Sequence, residues 1–95
     1  MSNALMEAML NGLPCVATDI SGNRDLIEDG VSGMLVPSKD IDGISKAIGY
    51  LLSHAEVSIH MGEKARERIL NGFSMSTVVD LYISMYERLI KEHKS

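Results

Sequence analysis

This chain of 95 residues has no tryptophan, and aromatic residues make up only 4% of it. A core without large rings must be filled by aliphatic side chains and by seven methionines, which pack softly and tolerate rearrangement. The one cysteine, Cys15, excludes an internal disulfide. It stands in an apolar run, which reads as a buried structural thiol in a reducing compartment. Nine Lys and Arg face thirteen Asp and Glu, a net charge of −4 with no basic stripe, which argues against nucleic acid as a partner. An anion held by backbone amides stays open. No apolar run approaches the ~20 residues of a membrane-spanning helix, and no secretory signal pattern is visible in these residues. The three histidines, His54, His60 and His93, lack metal-ligand spacing with each other or with Cys15, so no metal site is expected.

What is present is one small domain's worth of α/β pattern. Residues 3–11 carry Ala4, Leu5, Ala8 and Met9 at helical spacing, with Ser2 or Asn3 as cap and Gly12 and Pro14 as stop signals. Residues 15–18 form a continuous apolar run that suits a strand buried on both faces. A polar loop over 19–23 follows, then a short helix over 25–28, the turn Asp29-Gly30, and a second strand over 33–36 ended by Pro37. The rest is helical. Asp40 caps a helix whose Ile44, Ala47, Ile48, Leu51 and Leu52 predict a buried face. A helix over 56–70 turns Met61, Ala65 and Ile69 inward and leaves Glu63, Lys64, Arg66, Glu67 and Arg68 solvated. Ser74 or Ser76 caps a last helix with an apolar stripe of Val79, Tyr82, Ile83, Tyr86, Leu89 and Ile90, which places the two tyrosines in the core. The expected organisation is a single partial domain over 1–95, with a βα part over 1–37 and a helical part over 38–95.

The first helix carries the strongest chemical signal. Its open end presents free N–H groups and partial positive charge, which suits a diphosphate held by the backbone of Ser2, Asn3 and Ala4 and by the Ser2 hydroxyl. Glu7 lies one turn further on, where a carboxylate can accept two hydrogen bonds from a ribose diol. From spacing alone, Glu7 reads first as a surface residue stabilised by the helix dipole; the ligand role comes forward with the family pattern below. The loop over 18–23 leaves a strand and enters a helix, the usual place for ligands in open α/β sheets.

The order Ser2-Asn3-Ala4-Leu5-Met6-Glu7-Ala8-Met9, Asn11-Gly12-Leu13-Pro14, Asp19, Gly22-Asn23, Leu26-Ile27, Asp29-Gly30, Gly33 and Leu35-Val36-Pro37 resembles the nucleotide-sugar domain of family 4 glycosyltransferases. These are enzymes of the two-Rossmann-domain, or GT-B, type. The family grips its donor with a Glu–x7–Glu pair. Glu7 matches the second Glu, and the first falls two positions before Met1, so the chain reads as a fragment with no complete catalytic set. The resemblance implies main-chain amides at Ser2, Asn3 and Ala4 on the donor diphosphate, Glu7 on the ribose, and Gly22 and Asn23 in the donor loop. Gly22-Asn23 departs from the family's glycine pair, Leu26 stands where a Glu is usual, and Phe73-Ser74-Met75 replaces Phe-Ser-Trp. The resemblance runs from Ser2 to about Lys91 and is specific over 3–37.

The expected fold class is therefore α/β: a partial Rossmann-like unit of two short parallel strands with four to five helices, cut from a GT-B C-terminal domain. The implied parent is a retaining hexosyl- or N-acetylhexosaminyl-transferase that needs no cofactor. It moves a sugar from a UDP- or GDP-sugar, UDP preferred, to a glycan or lipid-linked acceptor on an N-terminal domain. Bacterial surface polysaccharide synthesis, in the cytoplasm or at the inner face of the membrane, is the implied setting. The chain alone is expected to be inactive and to self-associate through its uncovered sheet. The alternatives are a small non-catalytic α/β interaction module and another Rossmann-like enzyme with a phosphate ligand. A Glu codon two positions upstream of Met1, preceded by further βα units, distinguishes the first reading from both.

Overall fold

The computed structural model describes residues 3–93. Their elements run α1 (Asn3–Leu10), β1 (Val16–Thr18), α2 (Ser21–Leu26), β2 (Met34–Val36), α3 (Ile41–Ser53), α4 (Ala55–Gly72) and α5 (Met75–His93). The expected α/β unit is present: β1 pairs in parallel with β2, Val16 beside Met34, Ala17 beside Leu35 and Thr18 beside Val36. The Asp19 N–H donates to the Val36 carbonyl at 2.7 Å, and the Met34 N–H to the Cys15 carbonyl at 2.8 Å, so the ladder runs past both ends of the assigned strands.

Local chemistry fixes the element ends. At the close of α1 the Gly12 N–H donates to the Met9 carbonyl (2.9 Å) and the Leu13 N–H to the Ala8 carbonyl (3.1 Å). This is a Schellman closure, and it needs the left-handed backbone that Gly12 supplies at φ +73°. Asp40 caps α3 as expected, its carboxylate accepting the Gly43 N–H at 2.9 Å. Ser74 caps α5, accepting the Thr77 N–H at 3.2 Å.

The core lies among the helices. Met6, Met9 and Leu10 of α1 meet Leu26 and Ile27, Ala65 and Ile69 of α4, and Val78 and Leu81 of α5. Ala17 and Leu35 pack against this cluster from the sheet, and α3 also packs on both strands. Met61, Ala65 and Ile69 face inward as the α4 pattern requires.

Five expectations are corrected. β1 is only half-buried along its length, because a two-stranded sheet offers few neighbours. The short helix spans Ser21–Leu26 rather than 25–28. Ile27 is already extended, and the next residues serve the turn into β2. There the Ser32 hydroxyl accepts the Glu28 N–H and the Asp29 carboxylate accepts the Leu35 N–H, both at 2.9 Å. Such side-chain bonds compete with helix continuation. On α3, Ala47 and Leu51 are buried, but Ile48 and Leu52 point to solvent, the latter 81% exposed. A narrow sheet covers only one line of an apolar face.

On α5 the whole expected stripe of Val79, Tyr82, Ile83, Tyr86, Leu89 and Ile90 is exposed, both tyrosines included. Val78 and Leu81 are buried in its place, with Met85 half-buried. The helix is apolar on two sides, and α1 and α4 cover only the side one residue behind the predicted one. Finally, Arg68 is not a solvated cation. It donates to the carbonyls of Leu26 and Asp25, the open C-terminal end of α2. A cation there satisfies orphan acceptors and complements the helix dipole.

Candidate functional site

The site proposed from sequence is built on α1, an eight-residue helix held by its buried Met6, Met9 and Leu10. Asn3 and Ala4 at its start are exposed. The first N–H groups of any helix have no partner within it, so this end can hold an anion. Ser2 lies outside the described residues. A hollow of about 230 Å³ adjoins the helix start, lined by Asn3 and Met6 and by Thr77, Asp80, Leu81 and Ser84 of α5. Asp80 contributes a carboxylate on the α5 side of that hollow.

Glu7 departs from expectation. Read from sequence it is a surface residue or an open ribose contact; in the fold it is only 4% exposed. Its Oε2 accepts from the Arg88 guanidinium of α5. A nearly buried carboxylate requires a cationic or multiply hydrogen-bonding partner, and α5 supplies one. Asn11 reinforces the junction, donating its side-chain amide to the Glu7 carbonyl at 2.8 Å and to Met85 Sδ at 3.1 Å. A second hollow, of about 270 Å³, opens beside the pair, with Asn11, Met85, Arg88, Leu89 and Glu92 around it.

The loop residues are largely committed to holding their own backbone. Asn23 donates its side-chain amide to the Thr18 carbonyl at 2.9 Å. Arg24 pairs with Asp19 at 2.7 Å, both side chains about half exposed. Gly22 and Asn23 sit inside α2 in right-handed conformation. A side chain at Gly22 would meet nothing within 4 Å. The chain's own packing therefore does not demand glycine there.

Cys15 is half-buried, its Sγ near the Leu13 carbonyl, and burial pushes its thiol pKa up. That suppresses the thiolate and suits a packing role. Among the described residues no three His, Cys, Asp or Glu side chains gather into a metal-binding group. No described helix is long and apolar enough to cross a membrane.

Arg88 and Arg68 are the residues that sequence reasoning missed. For Arg88 a faint signal existed: Val78, Leu81, Met85 and Arg88 follow a 3-4-3 spacing, so Arg88 extends the inner face of α5. Nothing in the sequence pairs it with a residue 81 positions away.

Comparison with known proteins agrees with this architecture. The chain is 32% identical over 91 residues to N-acetyl-alpha-D-glucosaminyl L-malate synthase of Bacillus anthracis, covering 96% of this chain and 24% of that protein. It is 34% identical over 89 residues to the UDP-Gal:alpha-D-GlcNAc-diphosphoundecaprenol alpha-1,3-galactosyltransferase of Escherichia coli, covering 90% of this chain and 23% of that protein. Among solved structures, Anabaena HepE in complex with UDP superimposes with a TM-score of 0.76 at 24% identity, over 96% of this chain and 24% of that one. The chain thus spans about a quarter of the length of the relatives it matches. The pattern of the family described as Glycosyl transferases group 1 matches residues 2–68, more than half of the chain, and the chain belongs to that family.

Proposed function

We propose that this chain is the donor-nucleotide part of a family 4, retaining GT-B glycosyltransferase. The whole enzyme moves a hexosyl or N-acetylhexosaminyl group from a UDP- or GDP-sugar, UDP preferred, to a glycan or lipid-linked acceptor held by an N-terminal domain. The carrying observation is the pairing, on one helix, of an open positive end at Asn3 and Ala4 with a carboxylate, Glu7, one turn further in. Diphosphate at the first and a ribose diol at the second is the arrangement that a nucleoside diphosphate would need. The structural relative carrying UDP supports a nucleotide ligand. The Escherichia coli relative, named for a diphosphoundecaprenol acceptor, supports a lipid-linked one, and a relative named for capsular polysaccharide biosynthesis supports a role in surface polysaccharide synthesis.

On this reading, helix-end charge stabilises the leaving diphosphate as the glycosidic bond breaks, in the role a divalent cation plays elsewhere. Amides fixed at a helix start need no reorganisation when negative charge develops. Gly22, free of steric demand from the chain itself, keeps the backbone of the first turn of α2 accessible to the ligand. A chain that covers a quarter of its relatives binds nucleotide without turning over sugar nucleotide.

Calorimetric titration of UDP and GDP into the chain and its Glu7→Gln variant tests the reading, at a temperature where both are folded. The variant is expected to lose on the order of 2–3 kcal/mol, or roughly 30- to 150-fold in affinity. Equal affinities would remove Glu7 from the site and leave only the helix start.

A further inference from the structure

The donor-site reading leaves Glu7 closed to its ligand. With 4% of the residue exposed and Arg88 on its carboxylate, a ribose diol has no path to the oxygens it must bond. The cover on Glu7 is the far part of α5, which runs along α1. Thr77, Asp80 and Ser84 border the hollow at the start of α1, Met85 accepts from Asn11 at its end, and Arg88 closes on Glu7 between them.

The far half of α5 is lightly held. Beyond Leu81 none of its described side chains is buried: Ser84 and Met85 are half-buried, and residues 86–92 are exposed. A helix end with little buried apolar surface opens at low free-energy cost. The Arg88 side chain is itself 54% exposed, so the pair is solvent-screened on its cationic side. Glu7, by contrast, cannot stay in place unpartnered. A ribose diol can take over as hydrogen-bond partner, and water can reach the carboxylate once α5 lifts.

We infer that α5 is a competitive strap over the donor site: Arg88 occupies Glu7 until a nucleoside diphosphate displaces it, so that nucleotide binding and release of residues 85–93 are one coupled event. This rests on the reading of Glu7 as the ribose contact. A ligand that binds only the open form has its apparent affinity reduced by the fraction of molecules that are open. Weakening the strap therefore tightens nucleotide binding, which no residue of the nucleotide contact itself would do.

The test is UDP titration of the chain and of Arg88→Met, with amide hydrogen exchange on both. The variant is expected to bind UDP about tenfold more tightly, as the open fraction rises. Amides over 85–93 should exchange faster in Arg88→Met than in the unsubstituted chain, and faster in the unsubstituted chain once UDP saturates it. Equal UDP affinity in the two proteins overturns the strap and leaves the donor site standing. Weaker binding by Arg88→Met also overturns it and makes Arg88 a nucleotide ligand. UDP binding that slows or leaves unchanged the exchange of 85–93 overturns it as well. Binding of UDP by neither protein overturns the donor-site reading, and the strap with it. Should Arg88→Met fail to fold, Arg88→Lys keeps the charge and loses the guanidinium fork. It is expected to give a smaller gain in UDP affinity, and equal affinity there carries the same refutation.

Discussion

Of the glycines in the fold, Gly62 leaves the least room for a side chain. It lies buried in the middle of α4, where the chain passes under the closing turn of α1. A methyl group built there lands on the carbonyl oxygen and carbon of Gly12. That carbonyl cannot easily retreat, because Gly12 is fixed at φ +73° by the Schellman bonds that end α1. Gly62→Ala therefore forces α1 and α4 apart, and overpacking of this kind costs about 1–3 kcal/mol. Against it stands the better helix propensity of alanine, worth about 1 kcal/mol. The net expectation is a loss of about 0–2 kcal/mol, and each kcal/mol is about 4–8 °C in melting temperature for a domain of this size. Gly49, in α3, is the internal control: a methyl group there meets nothing within 4 Å. Gly49→Ala should gain about 0.5–1 kcal/mol from propensity alone. Thermal melts of the two variants beside the parent chain decide the matter. A Gly62→Ala protein that melts above the parent, as Gly49→Ala should, would refute the close packing of α1 on α4.

Other consequences follow from single contacts. Arg68→Met removes two charged hydrogen bonds to the end of α2 and should cost about 1.5–3 kcal/mol in a denaturant melt; an unchanged midpoint contradicts the cap. Cys15 should react with iodoacetamide more slowly than a free cysteine at pH 8, because burial raises its pKa and keeps it protonated where a solvated thiol begins to ionise; a rate equal to that of a free thiol contradicts this. The exposed apolar face of α5, with Val79, Tyr82, Ile83, Tyr86 and Ile90, should draw a second copy of the chain at high concentration. Sedimentation should show mass rising with concentration, and Tyr86→Glu should suppress that rise. A constant monomer mass across the micromolar to millimolar range contradicts it.

The fold was legible where a residue type permits few alternatives. Gly12 before Pro14, Asp40 before an apolar pattern, and two short apolar runs flanked by turn residues gave the helix closure, the cap and the parallel strands in their places. Reading failed where a helix is apolar on more than one side. In α5 the sequence contains both Val78, Leu81 and Met85 and Val79, Tyr82, Ile83 and Tyr86, and periodicity alone cannot say which set finds a neighbour. The misplaced α2 has a similar origin. Ser32 and Asp29 draw residues 28 and 29 into a turn, and their bonds connect positions that local propensity treats separately. At the proposed site, helix-end electrostatics and the family pattern pointed to Asn3, Ala4 and Glu7. Arg88 was not, because its role arises only when α5 comes to lie on α1.

The central claim is that the start of α1 and Glu7 hold a nucleoside diphosphate. The most direct measurement is amide shift mapping of the isotopically labelled chain during titration with UDP. Saturable shifts are expected at the amides of Asn3, Ala4 and Glu7, with those of Gly22 and Asn23 following. Shifts confined to other surfaces, or none up to millimolar UDP, would contradict it.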